Sequence, residues 1–95
     1  MKTEERARVK TLMKELIKPA EKIYYWSSYS LKGEFERIAE CYITNREFKE
    51  LMIELGHRPT KRTQNEVNHK YRIQVTPDDR ISIYFKGYGC QRKYF

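Results

Sequence analysis

The chain has 95 residues, 39% of them hydrophobic and 35% charged, which suffices for one domain with a single modest core. No apolar run approaches the ~20 residues of a membrane span, and no basic start leads into a signal-like segment, so a cytoplasmic protein without a membrane role is expected. The net charge of +7 excludes an acidic mimic of DNA and favours polyanionic partners.

That charge is unevenly placed. Through Leu55, eleven lysines and arginines face ten glutamates; from Gly56 onward, nine face only three acids. The field offered to a partner is therefore C-terminal, and nucleic acid, an anionic membrane or an acidic protein would answer it. Cys41 and Cys90 stand far apart with no partner at metal-ligand spacing. In a reducing compartment each is expected as a free thiol, with a disulfide between them as the alternative.

Thr3 reads as the N-cap of a first helix, with Glu4 and Glu5 complementing the dipole and Val9, Leu12, Met13, Leu16 and Ile17 on one face. Lys18-Pro19 ends it. Pro19 can open a further turn carrying Ile23, Tyr24, Tyr25 and Trp26, or Ser27, Ser28 and Ser30 can make the stretch a loop. Leu31, Phe35, Ile38 and Tyr42 recur at helical spacing after Ser30, which predicts a helix over about 31–41 despite Gly33.

The next helix carries a complete specification. Thr44 and Glu47 form a capping box, Ile43 and Phe48 occupy the staple positions, and Phe48, Leu51, Met52 and Leu55 line one face. Gly56 supplies the left-handed residue that stops it. So short a turn between two helices makes a helix-turn-helix candidate.

Beyond Gly56 the period changes to two. Val67, His69, Tyr71, Ile73 and Val75 project to one face, while Asn68, Lys70, Arg72 and Gln74 project to a wet, basic one. Thr76-Pro77-Asp78-Asp79 is a turn, and Ile81, Ile83 and Phe85 continue as a strand. Arg58 to Thr63 can pair as an outer strand across Gln64-Asn65-Glu66, where Pro59 is tolerated at an edge. The expectation is one α+β domain: helices over 1–56, a small antiparallel β-meander over 57–86, and a basic aromatic tail over 87–95.

The run Tyr42-Ile43-Thr44, Phe48, Leu51, Leu55-Gly56, Lys61-Arg62 and Tyr71-Arg72-Ile73 resembles the C-terminal winged-helix segment of primase-helicase proteins of phages and mobile elements. The resemblance covers about a third of the chain. It implies a capped helix, a basic turn and an aromatic-containing wing strand, and with them DNA contact in a phage or mobile-element setting. No nucleotide-binding loop is present, so it implies none of the enzymology. The turn between the two helices also lacks the glycine that many such units carry.

In a winged helix, Asn45, Arg46 and Lys49 would point outward near the helix N-terminus that enters the major groove. Arg46 and Lys49 suit guanine edges or phosphates and Asn45 suits adenine, while Glu50 and Glu54 would repel phosphate at the distal end. Arg58, Lys61, Arg62, Lys70 and Arg72 are placed as backbone clamps on the hairpin. Each feature also has an ordinary structural use. Arg46 and Lys49 can be a solvated face paired with Glu50, and hairpin cations keep edge strands from aggregating.

Two other readings stay open. Tyr24, Tyr25, Trp26 and Tyr29 with Tyr71, Tyr84, Phe85 and Tyr88, beside cations, suit stacking on single-stranded DNA or RNA. Arg with Tyr is also the composition of protein hot spots, which suits a small basic inhibitor or adaptor on a host protein or nucleoprotein. His57, His69 and Asp78-Asp79 form no nucleophile or close ligand pair, so no catalysis, cofactor or metal is expected.

Overall fold

Three helices form where the apolar spacing asks for them, and a short strand pair closes them. In the computed structural model, which describes residues 1–80, the order is α1 (Thr3–Leu16), β1 (Ile17–Pro19), α2 (Ser28–Ala39), α3 (Asn45–Glu54) and β2 (Ile73–Val75). β1 and β2 pair antiparallel with Ile17 opposite Val75 and Pro19 opposite Ile73. The chain is thus an α+β domain, as expected. The anticipated strand through Ile81, Ile83 and Phe85, the tail with Tyr84 and Tyr88, and Cys90 lie outside the described residues.

One core joins all the elements. Val9, Met13 and Leu16 of α1, Ile17 of β1, Leu31, Phe35 and Ala39 of α2, and Phe48, Leu51 and Met52 of α3 are buried, together with Ile43, Tyr71 and Ile73. Phe35 and Phe48 bring α2 onto α3, with ring centroids 6.0 Å apart. Burying side chains of this size contributes about 1.5–3 kcal/mol each.

The helix ends explain the boundaries. At α3 the Thr44 hydroxyl accepts from the Glu47 amide at 3.0 Å and the Glu47 carboxylate accepts from the Thr44 amide at 2.9 Å, so the capping box is present. At its other end Gly56 (φ 90°) is left-handed, His57 N–H donates to the Met52 carbonyl and Gly56 N–H to that of Ile53. These are the two bonds of a Schellman motif.

Other boundaries differ from expectation. α1 is capped at Lys2, one residue early, because the Glu5 carboxylate reaches back to the Lys2 amide at 3.0 Å. Ile17 leaves the helix to enter β1, where its side chain stays in the core while its backbone pairs with Val75. α2 starts at Ser28, not after Ser30. Ser28 is wholly buried; its amide donates to the His69 carbonyl at 2.8 Å and its hydroxyl accepts from the His69 amide at 3.0 Å. Ser27 is the N-cap but its hydroxyl makes no capping bond, so tertiary bonding at Ser28 sets that start. Residues 20–27 take the loop alternative, and Tyr42 is 72% exposed instead of lying on the buried face.

No glycine turns the chain between α2 and α3, yet the turn is left-handed. Glu40 (φ 56°, ψ 44°) takes that conformation itself. The Glu36 carboxylate accepts from the Ile43 amide at 3.0 Å and Arg8 donates to the Ala39 carbonyl, so the turn is held from both sides.

The β region is shorter than the alternation suggests. Its outer strand reduces to a single bridge, Pro59 opposite Tyr71, supported by the Thr60 amide on the Lys70 carbonyl. Pro59 has no N–H to extend the ladder. The chain then curls through successive turns, Thr63 amide to Thr60 carbonyl and Glu66 amide to Thr63 carbonyl. Alternation is lost before His69, which leaves Val67 75% exposed. The turn expected at Thr76-Pro77-Asp78-Asp79 falls later, at Asp79-Arg80, where the Asp78 carboxylate accepts from the Arg80 amide at 2.8 Å.

Candidate functional site

The bridge between Pro59 and Tyr71, with the Thr60 amide on the Lys70 carbonyl, leaves Arg58 and Arg72 flanking it on the two segments. The basic face foreseen for the strand is therefore shared by two chain segments. Like charges gathered this way repel, so an anion bound among them would relieve that repulsion. Arg72 is fixed by donation from its guanidinium to the Glu21 carbonyl at 2.7 Å. Arg58, Lys61 and Arg62 are exposed and, among the described residues, engage no acid.

These cations surround a hollow. It has a volume of about 670 Å³ and is lined by Arg58, Lys61, Arg62 and Arg72 over Pro19, Ile23 and Pro59. A second hollow of about 480 Å³ adjoins it at Ile23, Thr60 and Arg62 and reaches Lys70 and Glu66. The Lys70 ammonium lies 5.4 Å from the centre of the Tyr25 ring, which is 67% exposed. His57 also lines the first hollow. Burial lowers the pKa of its imidazole, which disfavours the charged form there.

The residues of α3 are used differently. The Asn45 amide group donates to the Val67 carbonyl and the Asn68 side chain, both at 3.0 Å, and the Lys49 ammonium donates to the same Val67 carbonyl at 2.7 Å. Both therefore moor the 61–68 loop to the helix. Arg46 projects outward, its side chain 87% exposed, with Glu50 3.5 Å away. Glu54 is turned from the helix face toward α1, where Arg6 and Lys10 pair with it. Its expected repulsion of phosphate is accordingly neutralised within the fold.

Of the eight residues singled out from the sequence, the structure gathers Arg58, Lys61, Arg62 and Arg72 around one hollow with Lys70 at its extension. Arg46 stands apart, and Asn45 with Lys49 is engaged by the loop. Pro19 and Ile23, which floor the hollow, carried no local signal because they reach it only through the pairing of β1 with β2. Among the described residues no group of three or more His, Cys, Asp or Glu is placed to hold a metal ion. No described helix is long and apolar enough to cross a membrane. No family model, curated protein or solved structure matches the chain.

Proposed function

We propose that this is a non-catalytic, cytoplasmic nucleic-acid-binding protein that holds duplex DNA through its basic hairpin, in a phage or mobile-element setting. The observation that carries the reading is the hollow ringed by Arg58, Lys61, Arg62 and Arg72, cations without acidic partners among the described residues. The element order supports it: helix, strand, two helices, a bridged segment, a turn and a returning strand is the order of a winged helix. In that reading Arg46 contacts a groove edge and the hairpin cations contact phosphates.

The test is binding to duplex DNA, single strands and RNA, each titrated across salt. Four phosphate contacts on a duplex give a slope of log affinity on log salt of about −3.6, at about −0.9 per contact. Absence of binding to all three at low salt would remove the reading. A second reading, a small basic inhibitor or adaptor on a host protein, would then lead. It draws on Tyr29 and Tyr42, 60% and 72% exposed, whose rings flank the Lys32 ammonium at 5.0 and 5.7 Å.

A further inference from the structure

The cationic rim suits a duplex backbone, and the two adjoining hollows within it offer a further surface. A duplex presents phosphates and sugars to a convex or flat cationic surface, and it gains little from an apolar floor. Here the cations form a rim, and the floor between them is Pro19, Ile23 and Pro59, with Ile23 47% exposed and shared by both hollows. Volumes of about 670 and 480 Å³ are on the scale of small-molecule sites, about 300–1,000 Å³, so an unpaired base fits within them while a duplex rests on the rim. The faces of unpaired bases are the part of a nucleic acid that wants apolar contact beside a tracked backbone. Tyr25, with Lys70 over its ring and Trp26 in edge contact with it, stands beside the Lys70 end.

We infer that the joined hollows form a channel for an unpaired strand, so that the ligand of this domain is a duplex carrying a single-stranded tail. The inference rests on the nucleic-acid reading above and names its substrate class. Arg58 and Arg72 flank the bridge between Pro59 and Tyr71 on the rim of the first hollow and hold the tail's phosphates. Lys61 and Arg62, also on that rim, reach the adjoining duplex. The bases lie against Pro19, Ile23 and Pro59.

The experiment uses the full chain and measures affinity for four probes: a blunt duplex, the same duplex with an oligothymidylate tail, the same duplex with an abasic sugar-phosphate tail, and the free oligothymidylate. Tails are placed on the 5′ end and, separately, on the 3′ end. The channel requires that the base-containing tail of one polarity bind about ten-fold tighter than the abasic one, a ratio that added phosphates cannot supply. It also requires that Ile23→Glu remove that ratio while Thr11→Glu, the same charge on the exposed face of α1, keep it. Equal affinity for blunt, abasic and base-containing tails would overturn the channel and leave duplex binding standing. Binding of free oligothymidylate without binding of the blunt duplex would do the reverse. Failure to bind any probe would overturn both.

Discussion

A single hydroxyl tests where α3 begins. In Thr44→Ala the Glu47 amide loses its acceptor while the apolar face of the helix is untouched, so stability should fall by about 1 kcal/mol. An unchanged urea midpoint would mean the cap contributes nothing. Glu40 makes the opposite case, since a side chain with a Cβ in the left-handed region costs about 1 kcal/mol that glycine does not incur. Glu40→Gly is expected to raise stability by about 0.5 kcal/mol, and the urea midpoint with it, after the greater freedom of glycine in the unfolded chain is subtracted. A lower midpoint would show that the Glu40 side chain holds the turn in some other way. The capping box was legible because Thr44 and Glu47 act on each other three residues apart. Glu40 was not, because its conformation is imposed by Glu36 on Ile43 and by Arg8 on Ala39, contacts made across the fold.

Among the elements, α1 and α3 are tied by one exposed carboxylate, Glu54, between Arg6 and Lys10. The Arg6 guanidinium first and the Lys10 ammonium second push the Glu54 carboxyl down from the ordinary 4.5 to about 2. A depressed carboxylate contributes stability that is fully present above its unfolded value and lost as pH falls through its folded one. The contribution of Glu54 should therefore be intact above about pH 4.5 and disappear toward pH 2. Denaturation of the protein and of Glu54→Gln at pH 6 and at pH 2 checks this: the two should differ at the first pH and converge at the second. A constant difference would remove the ion-pair account. At this scale the helices were legible from spacing, but β1 was hidden, since Ile17 continues the apolar face of α1 and only its pairing with Val75 reveals the strand. Likewise Val67 fits the alternation of the strand, yet its carbonyl is drawn to Asn45 and Lys49 and the side chain is left in solvent.

For the whole molecule, the charge excess beyond Gly56 is legible in the order of residues alone, whereas its concentration around one apolar floor depends on chain pairing that no local pattern encodes. Replacing Lys61 and Arg62 together with Ala should weaken duplexes of every sequence alike and flatten the salt slope by about 2, because phosphate contacts carry charge and no sequence information. Arg46→Ala should instead cost roughly 1–3 kcal/mol at one preferred site and little elsewhere, if its guanidinium pairs with a guanine edge. An unaltered affinity and salt slope in the double variant would show that the hairpin is not the contact surface. Such a result, with binding lost on changes at Trp26, would place the interaction on the aromatic side of the domain.

The double use of the Val67 carbonyl by Asn45 and Lys49 has a thermodynamic consequence for association. Fixing a free backbone residue costs about 1–2 kcal/mol in conformational entropy, and in residues 61–68 these bonds and the turns at Thr60 and Thr63 already meet much of that cost in folding. Whatever the loop receives therefore meets a surface with little left to order. Calorimetry should record an association entropy close to that of a rigid body, and Asn45→Ala with Lys49→Ala should make it more unfavourable.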